Sequence, residues 1–244
     1  MSEILFGTNP VTEVINANRR QIFEVYFQAD KGQTSNAELY QRCQVQKVAC
    51  HLVDKSKLDA LSKEGRHQGV VAKVSQYPYL SEPDLKNFPP KATLIACDSI
   101  SDPQNLGAIC RSAFVFGVDA LIFPKDRSAE INATVAKASA GAIEHLKIAR
   151  ITNLARTLEN LKEDGFWVYA AEAQSENNLN SFDFADRTVV VLGSEGEGIR
   201  PLVRKMCDES FCIPQTGHFN SLNVAQAATV IFYQISCSKI FPKN

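Results

Sequence analysis

The chain has 244 residues, 45% hydrophobic and 22% charged, with 26 Lys+Arg against 27 Asp+Glu. That profile is a globular chain of one large domain or two, and a formal charge of −1 excludes a polybasic protein that holds nucleic acid by bulk charge. No apolar run approaches the roughly 20 residues of a membrane span, so no membrane partner is expected.

The start, Met1–Pro10, has neither the basic flank of a secretory signal nor the Arg/Ser richness of a transit peptide, and the expected compartment is the cytoplasm. Thr8-Asn9-Pro10 opens a helix, with a capping polar residue and proline at the first helical position. Residues 21–27 alternate with near period 2 and read as a strand. Helix 36–46, strand 48–53, helix 55–62 and strand 69–74 follow, which makes residues 1–75 a compact α/β sandwich. The stretch from Ser75 to Lys91 holds four of the ten prolines; residues 76–91 are the predicted linker, semi-rigid because proline restricts the backbone. Residues 1–75 carry 10 basic and 8 acidic side chains, and the remainder 16 and 19.

Residues 92–244 repeat strand then helix. Strands are predicted at 93–97, 119–123, 167–172, 188–193 and 210–213, each a continuous apolar run of the kind buried on both faces. Helices are predicted at 106–116, 132–139, 153–164, 199–206 and 223–240. The alternation implies an α/β fold with a mostly parallel, doubly wound sheet, in which ligands bind beyond the carboxyl ends of the strands. Seven cysteines (43, 50, 97, 110, 207, 212 and 237) are an odd number with no CxxC pair. They read as reduced, small core residues rather than a metal site or a disulfide framework.

Three loops at those carboxyl ends carry chemistry. The first is Asp98-Ser-Ile-Ser-Asp102-Pro-Gln-Asn105-Leu-Gly107-Ala-Ile-Cys-Arg111, where one plain reading is that Asn105 caps the helix and Arg111 pairs with a carboxylate. The second is Gly193-Ser-Glu195-Gly-Glu197-Gly198. It is neither a Walker loop nor a dinucleotide fingerprint, and its two carboxylates would repel a pyrophosphate while suiting a neutral or cationic ligand. The third is Ile213-Pro-Gln-Thr-Gly217-His-Phe-Asn220-Ser221-Leu222-Asn223, in which Ser221 or Asn223 can cap the last helix.

In this order and spacing the three loops resemble the three motifs of the SpoU/TrmH-type RNA 2′-O-methyltransferases. Gly7-Thr-Asn-Pro-Val-Thr-Glu-Val and His67-Gln-Gly69-Val-Val-Ala resemble the family's N-terminal RNA-binding sandwich. Pro124-Lys-Asp-Arg-Ser128, Asn132-Ala and Ala140-Gly-Ala resemble the subgroup that methylates a guanosine in bacterial 23S rRNA. The resemblance implies a larger parallel-sheet domain with a C-terminal trefoil knot, S-adenosylmethionine as methyl donor, large-subunit ribosomal RNA as partner, no metal, and a homodimer paired through the apolar final helix. It implies catalytic roles for Asn105, Arg111, Glu195, Ser221 and Asn223, donor contacts at Gly193, Gly198, Ile213 and Leu222, and RNA contacts at Arg19 and Arg20.

Because a guanidinium stays protonated in proteins, Arg111 is expected to stabilise a developing alkoxide or hold a phosphate rather than act as a base. Asn105 would position the ribose and Arg111, and Glu195 would pair with Arg111 or Asn223. His67 reads as a structural histidine, and His218 as a residue that closes over the donor or is simply exposed. One departure stands out: the family continues its third motif with Ser-Val-Ala, whereas this chain has Ala225-Gln226-Ala227. Two other functions stay open at this point, the same reaction on a tRNA guanosine and a noncatalytic RNA-binding or ribosome-assembly role.

Overall fold

The computed structural model describes residues 2–30, 35–63, 65–216 and 222–240. They form two compact units, one of residues 1–78 with 131–145 and one of 79–130 with 146–244.

In the first unit β1 (Ser2–Phe6), α1 (Thr8–Ala17), β2 (Ile22–Gln28), α2 (Ala37–Val45), β3 (Ala49–Val53), α3 (Lys55–Ser62) and β4 (Val70–Ser75) follow one another. The strands make one mixed sheet in the order β1-β4-β2-β3, with β2 and β3 parallel and the other pairs antiparallel. α1 buries Pro10, Val11, Val14 and Ile15 on one face and stops at Asn18, whose left-handed φ of 49° ends the helix. Asp54 caps α3 by accepting the Lys57 N–H at 2.8 Å. β1 is an addition to the sequence reading, which left residues 2–6 unassigned.

The second unit begins with β5 (Ala92–Cys97), α4 (Pro103–Val115) and β6 (Ala120–Pro124). The chain next gives residues 131–145, including α5 (Ala133–Ala138), to the first unit. It resumes with β7 (Ile148–Ile151), α6 (Leu154–Glu163), β8 (Trp167–Ala171), β9 (Arg187–Leu192), α7 (Pro201–Arg204), β10 (Glu209–Phe211) and α8 (Val224–Ile240). All six strands run parallel in the order β10-β8-β9-β5-β6-β7. β7 was not expected. Every residue of β5 and β6 is buried, as continuous apolar runs require. α6 covers one face through Leu154, Leu158 and Leu161, which recur at helical spacing.

From β5 the chain moves one way along the sheet to β6 and β7, and then crosses to the other side of β5, where β8, β9 and β10 lie with β9 next to β5. The order therefore switches between β5 and β9. In open parallel sheets that point opens a crevice at the carboxyl ends, and the first and second loops leave from it.

The seven cysteines are free. Burial pushes the thiols of Cys43, Cys97 and Cys207 up to about 12 and raises that of Cys110 as well, which is the behaviour of inert core residues.

Candidate active site

α4 starts earlier than its apolar pattern suggested. Asp102 is the cap, accepting the Gln104 N–H at 2.9 Å, and Pro103 takes the first helical position. The capping reading of Asn105 is thus overturned: Asn105 sits within the first turn and its side chain is available for other work. Leu106, Ile109, Cys110 and Ala113 face the core, which turns Arg111 to solvent. Arg111 makes no hydrogen bond or ion pair with any described residue, so its expected pairing with a carboxylate, Glu195 included, is not formed.

The three loops meet through two amides and a carboxylate. Asn105 Nδ2 donates to Glu195 Oε1 at 2.9 Å. Asn223 Nδ2 donates to the same oxygen at 2.5 Å and to Asn105 Oδ1 at 3.0 Å. Asn223 Oδ1 accepts the Ala225 N–H at 2.9 Å, so Asn223 caps α8 while it ties the second loop to the first. Glu195 Oε2 takes no bond from the described residues and stays open. Ser221 and His218 lie outside the described residues. Ala225 is buried and Gln226 exposed; the triangle forms without a hydroxyl at position 225.

The second loop is folded back on itself. Ser194 and Gly198 exchange backbone hydrogen bonds, both 3.1 Å. Gly196 and Gly198 take φ of 86° and 69°, the left-handed region that glycine enters without strain. A Cβ on Gly193 would stand 2.3 Å from the Gly198 carbonyl carbon, so only glycine permits the loop to close. Its inner side forms one wall of a cavity of about 650 Å³. Leu192, Phe211, Ile213, Leu222, Val224 and Ile231 give the cavity an apolar lining, and Glu172, Glu195 and Glu197 are among its lining residues, Glu172 paired with Arg204 at 2.9 Å. The four residues expected to hold the donor, Gly193, Gly198, Ile213 and Leu222, all line it.

This cavity fits S-adenosylmethionine. Its volume suits a nucleoside-sized ligand, and its fixed charges favour a cation and disfavour phosphate. The backbone groups of Ile213 and Leu222 make no hydrogen bond with the described residues, which leaves donors and acceptors free at the rim of an apolar pocket.

In the first unit Arg20 is only 4% exposed. Its guanidinium bonds Glu3, the Ser75 carbonyl and Glu144, the last at 3.1 Å, and burial raises the Glu144 carboxyl above its ordinary value. Arg20 is therefore a buried ion-pair partner and not an exposed contact for RNA. Arg19 is exposed, donates to the Glu144 carbonyl at 3.2 Å and lies over the Tyr77 ring at 5.9 Å. His67 is structural: the Gly69 N–H donates to its Nδ1 at 2.9 Å, which leaves Nε2 to donate to Asp59 at 3.0 Å.

Sequence reasoning missed Asp98 and Arg200. Asp98 is fully buried and accepts from Arg200 through both carboxylate oxygens. The available signal was an acidic residue closing an apolar strand and an arginine just after the glycine loop.

Comparison with known proteins agrees with this geometry. Residues 92–233 match the SpoU rRNA methylase family, and residues 4–80 match the RNA 2′-O ribose methyltransferase substrate-binding family. A Staphylococcus haemolyticus protein assigned to the TrmH family of tRNA/rRNA methyltransferases is 37% identical over 239 residues, covering 95% of this chain and 94% of its own length. The SpoU methyltransferase AviRb from Streptomyces viridochromogenes, solved in complex with AdoMet, superposes with a TM-score of 0.83 at 21% identity, over 99% of this chain and 92% of that one. The A. aeolicus TrmH/SpoU tRNA modifying enzyme matches with a TM-score of 0.56 at 27% identity, over 62% of this chain and 76% of its own. With both family matches in place and a relative above one-third identity along nearly its whole length, the chain belongs to the SpoU/TrmH family of RNA methyltransferases.

Proposed function

We propose that this protein transfers a methyl group from S-adenosylmethionine to the ribose 2′-OH of a nucleotide, a guanosine, in large-subunit ribosomal RNA. The observation that carries this reading is the Asn105–Glu195–Asn223 triangle, which draws three loops together at the mouth of a phosphate-hostile cavity.

The donor supplies an electrophilic methyl on a sulfonium, and the cavity's carboxylates favour that charge. Gly193, Gly198, Ile213 and Leu222 hold the donor by backbone and apolar contact. Glu195 is fixed through one oxygen by Asn105 and Asn223, which leaves the other for the substrate. Arg111, exposed and uncommitted, steadies the negative charge that grows on the 2′-oxygen. Asn223 orients the third loop, and Ser221, outside the described residues, is assigned the same role by the family motif alone.

The ribosomal reading is supported by the match of residues 92–233 to the SpoU rRNA methylase family; the tRNA-modifying neighbour corresponds to 62% of this chain. A noncatalytic role would give no reason for the triangle or for the uncommitted arginine. Mass spectrometry of ribose-methylated nucleosides from cells with and without the gene tests the assignment: one 2′-O-methylguanosine should disappear from large-subunit rRNA. Loss confined to tRNA would overturn the substrate, and no loss in either RNA would overturn the activity. Calorimetry with S-adenosylhomocysteine should show binding, and none at millimolar ligand would sink the donor assignment.

The active form is a homodimer. α4 and α8 pack together, with Ser112 Oγ and Thr229 Oγ1 2.7 Å apart. They leave Phe114 (47%), Val115 (66%), Val230 (41%) and Tyr233 (56%) exposed, an apolar face of the kind that pairs across a two-fold axis. Light scattering at micromolar concentration should give twice the 26.9 kDa chain mass; a monomer would contradict this.

A further inference from the structure

We propose that Asp98 is a positioning residue for the donor cavity, holding the glycine loop in its folded-back form through Arg200. The inference rests on the reading that this cavity binds S-adenosylmethionine.

Asp98 directly follows β5, the first strand of the large sheet, at the point where the strand order switches. It is 0% exposed, and a carboxylate without water needs compensating donors. They come from Arg200: its N–H reaches Oδ2 at 2.8 Å, its Nε reaches Oδ1 at 2.7 Å, and its Nη2 lies 2.7 Å from Oδ1. The N–H of Asp98 donates to the Leu192 carbonyl at 2.7 Å. One residue thus grips both ends of the loop, Leu192 at its entry by backbone and Arg200 at its exit by side chain.

The segment between these ends is the part that matters for the cavity. Residues 193–199 line it, and Glu195 projects from them to Asn105 and Asn223. Ser99, the next residue after Asp98, sits at φ 64°; a non-glycine residue keeps that conformation only where its surroundings impose it. Asp98 does not itself line the cavity, so its influence runs through Arg200.

The test uses the full chain with Asp98→Asn, which keeps shape but removes charge, and Arg200→Gln. Leu158→Ala, a cavity in the core beneath α6 and away from the loop, serves as reference for general destabilisation. Three quantities are read: the melting temperature, amide hydrogen exchange of Ser194 and Gly198 in the free protein, and the Kd for S-adenosylhomocysteine. Asp98→Asn and Arg200→Gln should speed exchange at both amides and weaken binding about tenfold or more, the scale seen when an outer partner that orients a site is removed. The double variant should be no weaker than Asp98→Asn alone, because the two act as one unit. Leu158→Ala should lower the melting temperature and leave exchange and Kd unchanged. Wild-type exchange and Kd in both loop variants, or changes no larger than those of Leu158→Ala, would overturn the proposal. If Asp98→Asn does not fold, Arg200→Gln decides alone, since that side chain is one-third exposed. If the wild-type chain binds no S-adenosylhomocysteine, the donor reading fails, while the exchange comparison still decides whether Asp98 holds the loop.

Discussion

Replacing Arg111 with alanine is expected to slow methyl transfer roughly 100-fold or more, the scale of removing one donor from an oxyanion site, while S-adenosylhomocysteine binds as in wild type. The separation follows from placement. Arg111 is exposed on α4 with no bonding partner among the described residues and does not line the cavity, so its loss touches neither the fold nor the donor. The melting temperature should accordingly stay within about a degree or two, as for surface substitutions away from any network. Arg111→Lys sharpens the result. A lysine restores a point charge but not a planar fork; partial recovery would mark charge stabilisation, and none would mark a two-pronged grip on phosphate. A folded Arg111→Ala protein with near wild-type turnover would refute the placement of the reacting oxygen.

The second large effect belongs to Gly193→Ala. The added methyl would lie 2.3 Å from the Gly198 carbon, 2.5 Å from the Ile199 nitrogen and 2.6 Å from the Gly198 oxygen. All three are backbone atoms, so no side chain can swing aside, and the loop must open. Donor binding should become undetectable, with about 1–3 kcal/mol lost from stability as in other overpacked sites. Gly196→Ala is the contrasting case. Its φ is 86° but nothing lies within 4 Å of the new methyl, so the cost is conformational, about 1–2 kcal/mol, and binding should survive weakened. Calorimetry and thermal melts on the two variants check this; equal binding by Gly193→Ala and wild type would show that the closed loop is not needed.

Much of the large unit could be read from the chain because a strand buried on both faces writes itself as an unbroken apolar run. β5, β6 and β9 do so; β7 does not. It is four residues long and interrupted by Arg150, whose guanidinium reaches back to the Lys125 carbonyl and Glu130. β1 is five residues with a single fully buried side chain, Leu5, and has little periodicity to display. At the site, the order of the three loops brought Asn105, Glu195 and Asn223 into one reading, and the structure places them in one hydrogen-bonded group. Arg20 shows the limit of such reading. Beside Arg19 it looks like half of a basic pair, and only the fold reveals that Glu3 and Glu144 enclose it. Asp98 and Arg200 are 102 residues apart, and no local pattern links an acid to a base at that separation.

That enclosure has a temporal side. Glu144 and α5 reach the first unit from the middle of the chain, after about fifty residues of the second unit have been laid down. A ribosome adds roughly 5–20 residues per second, so the N-terminal sheet emerges several seconds before the segment that completes it. During that interval Arg20 lacks its most buried counter-charge, and the surface destined for residues 131–145 is bare. The two units therefore cannot mature strictly one after the other. The first can only be finished once two of the second's six strands have been made, which makes their assembly a single interleaved event in a newborn chain.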